Sequence, residues 1–305
     1  MVPIENINIP ILKEKEVSLW LKREDKLHPQ ISGNKFRKLK YNLAEARNYG
    51  FKTLLTFGGA YSNHIYALSA AGKEYGFKTI GIIRGEEHLP LNPTLQFATE
   101  QGMLLKYLNR EQYRLKNADE FRAGLKKEFG NFYVVPEGGS NSKALRGCTE
   151  IWDDLKENYH YLCVPVGTGG TMAGLIAGNT QSTKVLGFPA LKGGQFLEEE
   201  IKHFLHAYAI DYNVALSKNG WQIIPYYHFG GYAKHNSILI NFINDFNTKH
   251  GILLDPIYTS KMIYGILDMV NKDYFKSGSK IIALHTGGLQ AIEGFNQRFG
   301  EIIKV

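Results

Sequence analysis

A lysine near the start of a predicted helix is the first candidate for chemistry. The segment Ile31–Lys38 (ISGNKFRK) opens this helix and places Lys35, Arg37 and Lys38 on its first turns. Cations at a helix N-terminus oppose the helix dipole, so an anion or a deprotonated amine is expected to compensate them. Amide dipoles and neighbouring cations lower the pKa of a lysine, which suits nucleophilic or Schiff-base chemistry. A basic, capped helix end is the alternative interpretation.

A glycine-rich turn between a predicted strand and a predicted helix is the second candidate. The segment Val164–Gly174 (VPVGTGGTMAG) offers backbone amides at a helix start, together with the hydroxyls of Thr168 and Thr171. Such groups favour an anion. No Lys-Ser or Lys-Thr pair follows the last glycine, which excludes a Walker loop, and the third glycine of a dinucleotide fingerprint is missing. A monophosphate is the expected ligand.

A third turn, Gly58–His64 (GGAYSNH), also joins a predicted strand to a predicted helix. Ser62 and Asn63 are good N-cap residues, which is the structural interpretation. A hydroxyl, an amide and the unpaired amides of a helix start would also hold a carboxylate. This turn is therefore a candidate for binding the acidic end of a small ligand.

Composition narrows the classes of protein to consider. The chain has 305 residues, of which 44% are hydrophobic, so it can bury a large core and is not a disordered protein. Its two cysteines, Cys148 and Cys163, are not in a CxxC motif, so we expect no metal site. This use of cysteine fits the reducing cytoplasm. No signal peptide and no membrane-spanning segment are recognised, and we expect a soluble cytoplasmic protein.

The net charge of +7 does not indicate nucleic-acid binding, because the basic residues are scattered along the chain. Proteins that bind nucleic acid more often have a continuous basic stripe with exposed aromatic residues. We therefore expect no nucleic-acid or membrane partner. A small anionic ligand needs only a few cations and amides, and it fits this charge better.

Short apolar runs alternate with amphipathic segments through most of the chain, which predicts parallel sheets covered by helices on both faces. The predicted helices include Asn34–Tyr49, Asn63–Tyr75, Ala118–Phe129 and Lys143–Asn158. The predicted strands are Thr53–Phe57, Thr79–Ile83, Met103–Leu108, Phe132–Val135, Tyr161–Val166, Lys184–Gly187, Gln222–Pro225 and Lys280–Leu284.

Twelve of the 32 glycines form six doublets. Four doublets come just after predicted strands: Gly58-Gly59, Gly138-Gly139, Gly169-Gly170 and Gly287-Gly288. In open α/β sheets, ligands bind beyond the carboxyl ends of the strands, and glycine lets backbone amides approach them closely. Any one doublet is explained by a tight turn, but four at strand ends indicate a binding site.

The order of these motifs resembles one family of pyridoxal-phosphate enzymes. The S-G-N-K-x-R-K, G-G-x-x-S-N-H and G-T-G-G-T motifs are followed by Leu254–Lys261 (LDPIYTSK) and His285–Gly288 (HTGG). Together they resemble the family of D-cysteine desulfhydrase and 1-aminocyclopropane-1-carboxylate deaminase, of the tryptophan-synthase-β-like fold. The resemblance covers nearly the whole chain and implies the cofactor pyridoxal phosphate.

The resemblance implies a role for each matching residue. Lys35 would bind the cofactor covalently, and Lys38 would contact its phosphate. Ser62 would contact the substrate carboxylate and take part in proton transfer, and Asn63 would lie beside the cofactor ring. The phosphate loop would consist of Gly167, Thr168, Gly169, Gly170 and Thr171.

The family also has two active-site tyrosines at a fixed separation. Tyr232 follows Gly230-Gly231, and Tyr258 lies in the D-P-I-Y motif, 258 − 232 = 26 positions later, which matches the family's spacing. The chain has 18 tyrosines, and any one of them is more often a packed ring. The shared context makes these two candidates for catalysis.

Thr259 distinguishes two branches of the family. The cyclopropane deaminases have a glutamate at this position, which keeps the pyridine nitrogen of the cofactor protonated, whereas the desulfhydrases have a threonine. A neutral hydroxyl makes the ring a weaker electron sink, which suffices when a good leaving group departs from Cβ. Thr286 is a second candidate for the ring nitrogen, and the sequence does not choose between the two.

The function expected from this resemblance is α,β-elimination on a small amino acid, with D-cysteine giving pyruvate, sulfide and ammonia. Two residues depart from the family pattern: Tyr61 replaces a usual glutamine, and Tyr66 a frequent arginine. These departures leave open two alternatives, which are 1-aminocyclopropane-1-carboxylate deamination and a cofactor-binding protein with little turnover.

The resemblance predicts two α/β domains, each built on an open, twisted parallel sheet, with the cofactor in the cleft between them. The large domain is expected to comprise residues 1–39 and 151–305, and the small domain residues 40–150. A homodimer is expected on the resemblance alone.

Overall fold

Two separate sheets form the framework of the protein. The computed structural model describes residues 2–216 and 220–305. The strands within these ranges are β1 (Ile4–Ile7), β2 (Ser18–Lys22), β3 (Thr53–Gly59), β4 (Lys78–Arg84), β5 (Met103–Leu108), β6 (Tyr133–Val135), β7 (Tyr161–Val166), β8 (Lys184–Pro189), β9 (Trp221–Ile223) and β10 (Lys280–Leu284).

Both sheets are built mainly from parallel strands. The larger has the order β1-β2-β10-β7-β8-β9, and only β1 runs antiparallel to its neighbour. The smaller has the order β5-β4-β3-β6 and is wholly parallel. The predicted fold class is confirmed. All strands of the smaller sheet lie between residues 53 and 135, while the exact domain bounds stay a prediction.

Helices lie between most successive strands. Those in the described ranges are α1 (Pro10–Glu14), α2 (Asn34–Asn48), α3 (Asn63–Tyr75), α4 (Pro93–Glu100), α5 (Arg110–Arg114), α6 (Asp119–Phe129), α7 (Ser142–Thr149), α8 (Gly170–Gly178), α9 (Leu197–Tyr212), α10 (Ser237–His250), α11 (Thr259–Asn271) and α12 (Ala291–Phe299). None of the helices described is long and apolar enough to cross a membrane. The predicted homodimer and cytoplasmic location stay predictions.

The structure corrects three details of the predicted elements. The helix predicted over Lys143–Asn158 ends at Thr149, and Asp154 beyond it makes ion pairs with Lys22 and Arg37. Strand β3 continues through Gly58-Gly59, which pair with β4, so this doublet ends the strand instead of following it. Strands β1 and β2 were not predicted, since they are stabilised by pairing with each other and with β10, far away in sequence.

Glycines in α7 and α8 let helices α2, α7 and α8 pack closely together. A Cβ at Gly147 of α7 would lie 1.9 Å from the carbonyl oxygen of Arg37 in α2. A Cβ at Gly174 of α8 would lie 2.5 Å from Cβ of Cys148 in α7. The lysine segment lies at the start of α2, and the predicted phosphate loop lies at the start of α8. Because α7 packs against both helices, it fixes the distance between these two segments.

We expect Gly147→Ala to destabilise the protein by about 1–3 kcal/mol, because the new methyl group would overlap the α2 backbone. Gly124→Ala in α6 is the matched control, since a Cβ there meets nothing within 4 Å. The control should be neutral or slightly stabilising. Urea unfolding of both variants tests this, and equal midpoints would contradict the close packing of α2 and α7.

Candidate active site

Lys35 lies where α2 meets the loop after β10. Gly33, with φ +62°, immediately precedes α2, and a Cβ there would lie 1.9 Å from the carbonyl oxygen of Thr286. The same oxygen accepts a hydrogen bond from the Asn34 amide at 3.3 Å. The start of α2 is therefore fixed against Thr286, and the glycine is required for this approach.

The Lys35 amine has few polar neighbours in the described part of the chain. Its shortest hydrogen bond there, to Oδ1 of Asn34, is long at 3.5 Å. Burial lowers the pKa of Lys35 from 10.5 to about 8, although Cys148 acts in the opposite direction. The sequence predicted the lowered pKa, but it assigned the cause to amide dipoles and neighbouring cations, whereas loss of solvent is the main cause. An amine with this pKa is partly deprotonated near neutral pH.

Arg37 does not contribute its charge to the site. Its guanidinium binds the carboxylates of Glu24 and Asp154, at 3.0 and 2.6 Å. Lys22 binds the same two carboxylates. The anion expected to compensate the basic helix start is thus supplied, for Arg37, by the protein itself. This four-charge cluster also connects β2 and the chain after α7 to the helix that carries Lys35.

Lys38 is buried one turn after Lys35. Its amine donates hydrogen bonds to Oγ of Ser140 at 2.7 Å and to the carbonyl oxygen of Gly138. Burial, followed by the charge of Lys35, holds the pKa of Lys38 well below its ordinary value. Thr168 Oγ1 lies 2.7 Å from Ser140 Oγ, so the phosphate-loop hydroxyl and the lysine meet through one serine.

The predicted phosphate loop surrounds the start of α8. Gly169 precedes the helix with φ +87°, and the first turn has no acidic residue. A Cβ at Gly170 would lie 2.5 Å from Ser140 Oγ and 3.2 Å from Lys38 Nζ. Thr171 Oγ1 accepts a hydrogen bond from Asn34 at 2.9 Å. Hydroxyls and the Lys38 amine therefore approach the start of α8 closely, which glycine at position 170 permits, and this arrangement fits a phosphate.

The turn between β3 and α3 brings Ser62 and Asn63 to the same region. Ser62 Oγ accepts hydrogen bonds from the amides of His64 and Ile65, so it is the N-cap of α3. Asn63 accepts one from Gln290 at 2.7 Å, and its Nδ2 would lie 2.6 Å from a Cβ at Gly288. The β3–α3 turn thus contacts the loop after β10.

The two predicted tyrosines lie together beside the phosphate loop. Their ring centroids are 6.1 Å apart, and the Tyr258 hydroxyl would lie 3.1 Å from a Cβ at Gly167. Burial and Tyr232 raise the pKa of Tyr258 well above 10, so its hydroxyl stays protonated at neutral pH. Tyr232 is 43% exposed and lies on the solvent side of the pair.

The two threonines considered for the ring nitrogen differ in their surroundings. Thr259 is fully buried, and its Oγ1 has no hydrogen-bond partner in the described part of the chain. Such an atom is costly unless a ligand pairs with it. Thr286 is 8% exposed, and its backbone carbonyl accepts from Asn34. Solvent does not reach the Thr259 hydroxyl, whereas Thr286 keeps some exposed surface, so the choice between the two threonines stays a prediction.

Comparison with known proteins identifies the family of this chain. The family model described as pyridoxal-phosphate dependent enzyme matches residues 2–287. The chain belongs to this family. The resemblance drawn from the motifs is confirmed, and so are the cofactor and the expectation of an enzyme. The alternative of a binding protein with little turnover is therefore not supported.

Three relatives illustrate the similarity. A putative 1-aminocyclopropane-1-carboxylate deaminase of Pyrococcus abyssi is 30% identical, over 96% of this chain and 91% of its own. The mitochondrial bifunctional D-cysteine desulfhydrase/1-aminocyclopropane-1-carboxylate deaminase of Arabidopsis thaliana is 29% identical, over 94% and 76%. A crystal structure of an ACC deaminase homologue aligns with a TM-score of 0.86 and 28% identity, over 99% of this chain and 94% of that chain.

The residues present fit pyridoxal phosphate. The loop from Gly167 to Thr171, with Lys38, would hold the phosphate. Lys35 would bind the aldehyde, and Thr259 or Thr286 would face the ring nitrogen. The substrate side would be formed by Ser62, Asn63 and the tyrosine pair. These roles stay predictions.

Several site residues were not assigned a role from sequence. Asp255 is buried and accepts hydrogen bonds from the amides of Ile257, Tyr258 and Thr259, at 2.7–2.9 Å. It therefore fixes the backbone that carries Tyr258. Ser140 and Gln290 were missed as well. Asp255 lies within the LDPIYTSK motif and Ser140 directly follows a glycine doublet, so a polar residue beside a doublet or tyrosine was the available signal.

The two departures from the family pattern have structural partners. Tyr66 stacks on Phe97 of α4 with ring centroids 3.8 Å apart. A Cβ at Gly294 of α12 would lie 3.0 Å from the Tyr61 ring. Both tyrosines thus pack against neighbouring helices, Tyr66 at the side of α3 and Tyr61 at the entrance to the turn before it.

We expect Lys35→Ala to lose the visible absorbance of the bound cofactor, because no amine would remain to bind the aldehyde covalently. Lys40→Ala is the control and should keep the absorbance. It removes an exposed lysine on the same helix as Lys35, and this exposed lysine pairs with Glu150 beyond the end of α7. Persistence of the band in Lys35→Ala would show that another lysine anchors the cofactor.

The pKa of Lys35 also predicts a pH effect on the cofactor-free protein. Because folding lowers this pKa from 10.5 to about 8, the unfolded chain binds more protons between these values. The free energy of unfolding therefore gains a contribution that rises with pH. Lys35→Met should stabilise the protein more at about pH 7 than at about pH 9.5. Urea unfolding at both pH values measures this, and a constant difference would contradict it.

Proposed function

We propose that the protein catalyses α,β-elimination on a small amino acid, with D-cysteine as the first substrate. One D-cysteine and one water would give pyruvate, hydrogen sulfide and ammonia. The observation that carries the proposal is the threonine at position 259, where the cyclopropane deaminases have a glutamate, directly after the tyrosine pair's Tyr258. The proposal extends the family's shared chemistry to one class of substrate.

The surroundings of Thr259 favour elimination over ring opening. The nearest carboxylate in the motif, Asp255, accepts three backbone hydrogen bonds with its two oxygens and is not available to the ring nitrogen. A neutral hydroxyl leaves the bound ring a weaker electron sink. That is sufficient when a good leaving group departs from Cβ, as a thiol does.

Residues of the chain would position the substrate and move its protons, while the cofactor withdraws electrons from Cα. The start of α3 with Ser62 and Asn63 would bind the substrate carboxylate. Lys35, with a pKa of about 8, would accept the Cα proton at Nζ. Ser62 and Tyr258 are other candidates for this base.

The tyrosine pair would supply the proton that accompanies the leaving sulfur. The raised pKa of Tyr258 keeps its hydroxyl protonated at neutral pH, and Tyr232 lies beside it. A protonated donor is needed because sulfide leaves more readily as the neutral species. Tyr232, more exposed than Tyr258, could be reprotonated from solvent between turnovers.

The second candidate is 1-aminocyclopropane-1-carboxylate deamination. The names of the relatives favour it, since several similar proteins, including that of Pyrococcus abyssi, carry this name as putative deaminases. Thr259 opposes it, because a weaker electron sink serves ring opening poorly. The Arabidopsis relative carries both names, so the two activities are compatible within the family.

We expect the purified, cofactor-loaded protein to form pyruvate from D-cysteine or β-chloro-D-alanine, and little 2-oxobutyrate from 1-aminocyclopropane-1-carboxylate. Both enantiomers of cysteine and serine belong in the same assay. Tyr258→Phe should lower kcat by about 100-fold, because it removes a proton donor. Tyr226→Phe, at a 79% exposed position, is the control.

Formation of 2-oxobutyrate without pyruvate would favour the second candidate. No pyruvate from D-cysteine, β-chloro-D-alanine or D-serine would refute elimination on D-amino acids.

A further inference from the structure

The segment that carries Tyr232 has an unusual backbone. It connects β9 to α10 without forming a helix or strand, and four residues within it have positive φ angles. These are Phe229 (50°), Gly230 (90°), Gly231 (126°) and Ala233 (54°). Phe229 and Ala233 have a Cβ, and such conformations are costly for them unless the surroundings hold them in place. Tyr232 lies between two of these residues.

A buried lysine holds this segment. Lys261 of α11 is 2% exposed, and its amine donates to the carbonyl oxygens of His228 at 2.9 Å and Gly231 at 2.8 Å. Lys261 makes no salt bridge within the described ranges. The two carbonyls are thereby turned toward α11, and Tyr232 directly follows the second. Burying a lysine amine costs free energy. The two hydrogen bonds to carbonyl oxygens offset part of this cost and fix the backbone at His228 and Gly231.

Two neighbouring contacts on α11 reinforce this attachment. Lys261, Tyr264 and Asp268 are spaced by three and four residues, so they lie on one face of the helix. Tyr264 packs against Phe229 with ring centroids 5.0 Å apart, and Asp268 accepts a hydrogen bond from Tyr227 at 2.7 Å. Residues 227–231 of the segment are therefore held against this face of α11.

The same helix begins at Thr259, directly after Tyr258. Helix α11 thus carries Tyr258 and Thr259 at its start and grips the Tyr232 segment on its side. A single rigid element sets the 6.1 Å separation of the two tyrosine rings. Of the three side chains on the gripping face, Lys261 binds closest in sequence to Tyr232.

We propose that Lys261 is a positioning residue, which places the Tyr232 hydroxyl against Tyr258 for proton transfer. It acts on the backbone at His228 and Gly231 and does not touch the substrate or cofactor. The inference rests on the proposed function for the role of the tyrosine pair. The distance between the rings of Tyr232 and Tyr258 then depends on the contact between α11 and this loop.

A double-mutant cycle tests the inference in the cofactor-loaded enzyme. We expect Lys261→Met and Tyr232→Phe each to lower kcat by about 10- to 100-fold with little change in KM. The double variant should be no slower than Tyr232→Phe alone, because Lys261 acts only through that hydroxyl. Multiplying effects, or a Lys261→Met kcat within twofold of the wild type, would overturn the proposal.

Hydrogen exchange of the amides of residues 228–234 gives a readout that does not depend on turnover. Exchange should be at least tenfold faster in Lys261→Met and unchanged in Lys249→Met, which removes an exposed lysine on α10. Unchanged exchange in Lys261→Met would refute the anchoring role. If the wild type converts no amino acid, the proposed function fails while this measurement still decides on Lys261. Lys261→Gln enters the same experiments if Lys261→Met does not fold.

Discussion

The loss of solvent around the amines of Lys35 and Lys38, on the first turns of α2, is the constraint on which the candidate site depends. Lys35 and Lys38 lie one turn apart, and burial lowers both of their pKa values. Cations in such a place need either deprotonation or an anion. An aldehyde bound covalently to Lys35 and a phosphate beside Lys38 would meet these two needs. Arg37, on the same helix, has its own carboxylates instead.

Close backbone contacts keep these lysines at the phosphate loop. Gly147 and Gly174 let α7 pack against both α2 and α8, and Gly33 lets α2 meet the loop after β10. A Cβ at any of these three positions would overlap its neighbour. These glycines therefore bring the elements around the candidate site into contact.

The loops on the substrate side are fixed by polar contacts to buried groups. Asp255 binds three amides around Tyr258, and Lys261 binds two carbonyls before Tyr232. A carboxylate at the amide-rich end and an ammonium at carbonyl groups are each electrostatically favourable. Helix α11 joins the two, so one element fixes the backbone beside both tyrosines.

The sequence by itself determined the fold class, eight of the strands with small errors at their ends, and the candidate residues for the site. These follow from local patterns, such as apolar periodicity, glycine doublets and motif order. The tertiary structure decided why the pKa of Lys35 is low, what neutralises Arg37, and which residues hold the tyrosines. It also decided the pairing of β1 and β2. Those properties depend on burial and on contacts between residues far apart in the chain, and no local pattern encodes them.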